Sequence, residues 1–197
     1  MATQFSMLQI INAALTAQGQ DPISDNDGSA EWSILTRNWP LIVEAELEDG
    51  AYNFNRSEEF LATRIDGKFG FDDGYMVPLN AIHVRAVWTI DTSGARVFQD
   101  WTQDGSNVYV DCADGVYAEL VTVADVDLWS ANFCRGVQMK MEAVILRSMK
   151  EESRDAAEME QRAEVYFERA RAKSSKSRSP TEPYREGRFA AARFRRG

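Results

Sequence analysis

The chain has 197 residues, 44% of them hydrophobic, with 22 Lys and Arg against 31 Asp and Glu for a net charge of −9. That length and apolar content fit one globular domain with appendages and exclude a wholly disordered chain. No apolar run is long enough for a membrane-spanning helix, and Met1-Ala-Thr-Gln-Phe lacks the charged start and apolar stretch of a secretory leader, so a soluble protein made in the cytosol is expected.

Met7, Leu8, Ile11, Ala14 and Leu15 recur at three- and four-residue spacing, which predicts an amphipathic helix over about 3–18. Gly19 and the Asp21-Pro22 step stop it. A second helix is expected over about 27–48, capped by Asp25 or Asp27, carrying Trp32, Leu35, Trp39, Ile42 and Leu47, kinked or split at Pro40 and ended by Gly50. From about 59 to 123 the period changes to two. Residues 60–62, 82–88, 97–101, 108–110 and 116–121 read as strands. Asp91-Thr92-Ser93-Gly94, Gln103-Asp104-Gly105-Ser106 and Ala113-Asp114-Gly115 stand between them as turns, so a meander of successive antiparallel hairpins is predicted.

Helical spacing then returns. Leu128, Phe133, Val137, Met141, Ile145 and Met149 define a helix over about 126–149, and Ala156, Met159, Ala163, Tyr166, Phe167 and Ala170 another over 151–172. Acids crowd the start of the last helix and bases its end, as its dipole favours. The expected fold is α+β: a bundle of about four helices interrupted by an antiparallel β insertion, in a body spanning 1–172.

The remaining 25 residues are a different kind of polymer. From Lys173 they are rich in Ser, Pro, Gly and Arg, with eight bases against two acids, a local charge of +6 that leaves −15 on the body. Such a segment buries too little apolar surface to offset its ordering entropy, and disorder in isolation is expected. Yet Tyr184, Phe189 and Phe194 recur every five residues, as anchors of an arm that docks into another protein. Contact with nucleic acid through its arginines, or an idle tail, are the other readings.

Recognisable chemistry is scarce. The single histidine, His83, lies mid-strand, where a structural role is expected, and cannot supply a multi-histidine metal site. No Gly-rich phosphate loop or nucleophile elbow is present. Asp100, Thr102, Asp104, Gly105 and Asp111 superficially follow a calcium-loop spacing, but Thr102 and Asp111 replace the usual ligands and strands flank them, so a plain hairpin turn is expected. Cys112 and Cys134, far apart, read as free thiols. No catalytic residue, cofactor or metal is assigned, and no enzyme activity is expected.

Several stretches resemble the head-to-tail adaptors of tailed bacteriophages, of the tail-tubular-protein-A or gatekeeper type. Leu8, Asn12, Leu15, Gly19, Pro22, Ile23 and Ser24 are similar to that family's first helix and turn. Ala51-Tyr52-Asn53-Phe54-Asn55 resembles its Trp-Asn-Phe-Ala-like segment with Tyr52 in place of Trp, and Val77-Pro78-Leu79-Asn80-Ala81-Ile82-His83-Val84 its Leu-Pro-x-Asp-x-x-Arg-Val stretch with Asn80 and His83 as departures. Glu182-Pro183-Tyr184-Arg185-Glu186-Gly187-Arg188-Phe189 looks like its Pro-Tyr-Arg-Asp-Gly-Arg-Phe tail. The resemblance implies a virion protein, made in the host cytoplasm, that forms a ring, commonly of twelve copies, between portal and tail. Its expected partners are the portal protein and a downstream nozzle or tail-tube protein, with genomic DNA passing through without sequence-specific binding. The C-terminal arm would embrace the portal or a neighbouring subunit through Arg178, Pro180, Pro183, Tyr184, Arg185, Arg188, Phe189, Arg193 and Phe194. An acidic body suits a channel that must not grip DNA, since each neutralised phosphate adds salt-dependent binding. The alternative class is a cytosolic binding module or regulator with a basic nucleic-acid-binding tail.

Overall fold

Serines set three of the helix starts. In the computed structural model, which describes residues 5–50 and 52–176, α1 (Met7–Ala17), α2 (Ala30–Asp49) and α3 (Ala131–Met149) follow Ser6, Ser29 and Ser130, whose hydroxyls accept from the backbone N–H three residues on. Ser6 and Gln9 complete a reciprocal capping box. Ser29 replaces the expected caps of α2. Asp27 instead accepts from the N–H groups of Ser29 and Ser24, and the Ser29 bonds hold its carboxyl below the usual carboxylate range. Gly19, at φ +71°, ends α1 in the left-handed region, as expected.

Two helix expectations need correction. Pro40 does not split α2, which runs unbroken through it, and the residue is exposed. The helix expected over 126–149 is divided: Val126–Leu128 form a short 3-10 turn, extended Trp129 and Ser130 come next, and α3 starts afresh from the Ser130 cap. The last helix, α4 (Ser153–Lys176), packs along α3 as a hairpin, while α1 and α2 lean on α3 from its other sides.

The β insertion is antiparallel as expected but not a simple meander. Strands β1 (Arg56–Leu61), β4 (Ala81–Ile90), β5 (Arg96–Phe98) and β8 (Val116–Thr122) form one sheet in the order β1-β8-β4-β5. Strands β2 (Arg64–Asp66), β3 (Asp73–Met76), β6 (Trp101–Asp104) and β7 (Asn107–Val110) form a second in the order β2-β3-β7-β6. The turns at 91–94 and 103–106 do close hairpins, β4–β5 and β6–β7. Ala113-Asp114-Gly115, however, carries the chain from one sheet to the other, and residues 97–101 divide between sheets at Gln99-Asp100. The cause is burial: Leu61, Val84, Val87, Val116, Ala118 and Leu120 on one inner face share a cluster with Tyr75, Val77, Val108 and Val110 on the other, which a single flat meander would leave in water. Tyr75 ties the crossing down, its hydroxyl donating to Cys112 O and accepting from Gly115 N–H.

The insertion begins and ends at one place. Arg56 pairs with Val121, and Asn55 O accepts from Thr122 N–H at 2.7 Å.

Candidate functional site at the root of the C-terminal arm

α4 continues four residues beyond the expected boundary at 172, because Ser174 is buried and bonded. Asn53 Nδ2 donates to Ser174 O at 2.7 Å, and Asn53 N–H donates to Ser174 Oγ at 3.4 Å. Lys173 and Lys176 therefore belong to the helix. The 21 residues beyond it, 177–197, hold six arginines against two glutamates, and the body before them carries 16 bases and 29 acids.

The strap that holds this root is Tyr52–Asn55. Gly50 makes room for it: a Cβ there would lie 1.9 Å from the Tyr52 ring. Tyr52 is fully buried, stacked on Phe54 with centroids 5.1 Å apart and edge-on to Phe133 at 4.9 Å. Its hydroxyl donates to the Glu46 carboxylate, and Arg171 of α4 donates to the same oxygen at 2.6 Å. Burial raises the Glu46 carboxyl above its ordinary range, opposed by the Tyr52 hydrogen bond and the Arg171 charge; burial and then Glu46 push the Tyr52 phenol far up. Asn55 Nδ2 caps the end of α2 by donating to Leu47 O at 2.9 Å. One short segment thus fixes the ends of α2, α4 and β8 together.

Beside the strap, α2, α3 and α4 leave a groove of about 630 Å³ lined by Leu41, Ile42, Val144, Glu46, Asp49 and Arg171 among others. Its bases already have carboxylate partners: Lys140 meets Glu164 at 2.7 Å, Arg147 meets Glu160 at 2.8 Å, and Arg171 meets Glu46. The arrangement ties each of these bases to a carboxylate and fixes the C-terminal end of α4 against α2.

Arg178, Pro180, Pro183, Tyr184, Arg185, Arg188, Phe189, Arg193 and Phe194, the residues assigned to partner binding from sequence, all lie outside the described residues. The quasi-calcium spacing folds as the β6–β7 hairpin, with Asp104 3.3 Å from Lys68 and Asp111 accepting from Asp72 N–H at 2.8 Å. His83 is half-buried on β4 opposite Val121. Cys112 and Cys134 are free, and burial pushes the Cys134 thiol up to about 11. Among the described residues no group of three or more His, Cys, Asp or Glu is placed to hold a metal, and no helix is long and apolar enough to cross a membrane. Sequence reasoning missed the Glu46–Tyr52–Arg171 and Asn53–Ser174 contacts, although the Tyr52–Asn55 motif marked their position.

Compared with known proteins, the chain matches no family model and no curated protein. It is similar, at 12% identity over 76% of this chain and 85% of the other, to a chain of a solved structure described as "Neck of empty GTA particle computed with C6 symmetry", with a TM-score of 0.30, a likeness that carries no argument about function.

Proposed function

We propose that this chain is a structural, non-enzymatic virion protein: the subunit of a head-to-tail adaptor ring that joins the portal to the tail and lines the DNA passage. The observation that carries the reading is the division of charge at a rigid root. An acidic body ends in a helix pinned by Asn53 and Arg171, and a basic, aromatic-bearing segment begins at once. The ordered family-like motifs support it, the last of them lying in that segment. A body that repels phosphates lets DNA slide, while Tyr184, Arg185, Arg188 and Phe189 are the residue types that dominate interface hot spots, at about 2 kcal/mol or more each. The portal is the upstream partner, a nozzle or tail-tube protein the downstream one, and a ring of twelve copies the stoichiometry.

Electron microscopy of the full chain mixed with its cognate portal tests this. Rings of the chain seated on the portal are expected, lost in the Tyr184→Ala, Phe189→Ala double variant while its circular dichroism stays unchanged. A full chain that ignores the portal and selects one duplex DNA sequence over others would replace the adaptor with the regulator.

A further inference from the structure

The turn between β2 and β3 carries a side chain that its backbone disfavours. Phe69 and Gly70 have φ of +57° and +92°, and Phe71 N–H closes the turn on Lys68 O at 3.0 Å. Two positive φ values in a row are the pattern of a type I′ turn, whose first central position ordinarily goes to Asn, Asp or Gly. A phenylalanine there is a steric outlier, so the turn itself supplies no reason for the ring. Nor is the ring hidden, since Phe69 is 65% exposed.

Its neighbours hold it still. Phe69 stands edge-on to Tyr109, with centroids 5.5 Å apart and planes at 78°. Lys68 Nζ lies 5.7 Å from the Phe69 ring centroid and is anchored to Asp104 at 3.3 Å, while Asp111 accepts from Asp72 N–H at 2.8 Å. The result is a fixed apolar knob at a hairpin end of the second sheet, flanked by the exposed acids Asp66 and Asp72.

The helical unit offers a matching hollow. Between α1 and α3, Phe5, Ile10, Ala13, Ala131 and Cys134 line an apolar crevice of about 290 Å³. A cavity of about 150 Å³ holds a benzene ring, so one phenyl group fits. At the rim, exposed Arg135 donates to Gln138 Oε1 at 2.7 Å, an amide instead of a carboxylate. Acidic flanks on the knob and a basic rim on the hollow are complementary. The helices meet the insertion through α2 against β4 and β8, strands of the first sheet, whereas the knob hangs from the second.

We infer that Phe69 of one copy docks in the α1–α3 crevice of a second copy, with Asp66 and Asp72 facing Arg135. The contact is heterologous: each copy offers its knob to one neighbour and its hollow to another, and the series ends when the rotation closes a ring. As the joint of an adaptor ring it rests on the reading above, but the pairing of copies is measured without a portal, so the two can fail separately.

The test uses the full chain alone, at high micromolar concentration and low salt, with photoreactive azidophenylalanine at position 69. Irradiation should give a band of dimer mass in which that position is joined to peptides from 5–13 or 131–138. The yield should fall about tenfold in Arg135→Glu and recover when Asp66→Lys and Asp72→Lys are added. Without the photoprobe, Phe69→Asn should sediment as a monomer at concentrations where the parent chain gains mass. Circular dichroism should be the same for every variant. Cross-links in a band of monomer mass, cross-links to other surfaces, or no dimer band would each overturn the proposal. So would a yield that Arg135→Glu leaves unchanged or the lysines do not restore, or self-association kept by Phe69→Asn. Dimer cross-links at the crevice with no rings on the portal would uphold the contact and remove the adaptor reading.

Discussion

The helical unit and the β insertion both gather aromatic rings, and they use them in opposite ways. Between the helices, Tyr52, Phe133 and Phe167 are fully buried, Phe133 meeting Tyr52, Phe54, Trp129 and Phe167 at centroid distances of 4.7–5.5 Å. On the sheet, water reaches Phe60, Tyr117 and Phe98, while Trp88, which the register sets between Tyr117 and Phe98, is 2% exposed beneath Arg96. The first cluster is filling, held by close packing from every side. The second is a set of exposed rings around one buried ring, held by strand register and by the Arg96 guanidinium over Trp88. The difference teaches that aromatic content alone says nothing of burial; the partner element does.

The largest effect expected from this contrast comes from shortening one ring in each region. Phe133→Ala should cost about 3–5 kcal/mol in urea unfolding, through lost burial plus an unfilled cavity, whereas Phe98→Ala should change stability by no more than about 0.5 kcal/mol. Equal costs would show that the sheet row is structural after all. Next, Gly136→Ala should cost about 1–3 kcal/mol by overpacking the α3–α4 seam, since its Cβ would lie 2.5 Å from the Phe167 ring. A melting temperature at the wild-type value would mean that the helical cluster is looser than described.

A smaller effect locates the boundary between body and arm. A chain ending at Lys176 should melt as the full chain does, while one ending at Ala172 loses Ser174 and its Asn53 bonds and should be less stable by about 1 kcal/mol. Identical melting of the two would move the boundary back to 172. The least effect concerns Glu46. The folded chain holds its proton more tightly than the unfolded chain, so this residue makes stability fall as pH rises from the ordinary carboxylate value of 4.5 up through the raised one, with no further change above it. In Glu46→Gln that part of the slope should vanish, read as the difference between the two proteins' urea midpoints across mildly acidic pH. A slope unchanged by the substitution would mean that the strap leaves Glu46 freely hydrated.

Much of the helical unit was legible because its determinants are local. The spacing that marks Ile11, Ala14 and Leu15, or Ala163, Phe167 and Ala170, needs only the chain itself, and these residues are buried. Asp91–Gly94 and Asp104-Gly105 likewise announced their hairpins. The sheets were less legible because pairing is non-local. Arg64–Asp66 and Asp73–Met76 lack apolar alternation; their place is set by Asp73 buried against Arg64 and by Gly74, where a Cβ would come within 2.9 Å of the Tyr109 ring. Asp114-Gly115 looks like a hairpin turn, and only the demand for two facing sheets makes it a bridge. At the arm root, Glu46 and Arg171 are 125 residues apart, a pairing no local pattern announces. The nine partner-binding residues chosen from sequence stand untouched by any of this, outside the described residues.

The pairing of Arg56 with Val121, beside the Asn55–Thr122 hydrogen bond, has a consequence for how such a chain evolves. Seen from α2 and α3, everything between Asn55 and Thr122 is one loop whose two feet touch. The cost of closing a loop grows only with the logarithm of its length, so residues added or removed at the far hairpins barely burden the helices. The pair of sheets is a cassette. It can lengthen, shrink or be exchanged for another hairpin assembly while the four helices and the strap that seats the arm keep their places, leaving one part of the protein free to follow a changing partner while the other stays constant.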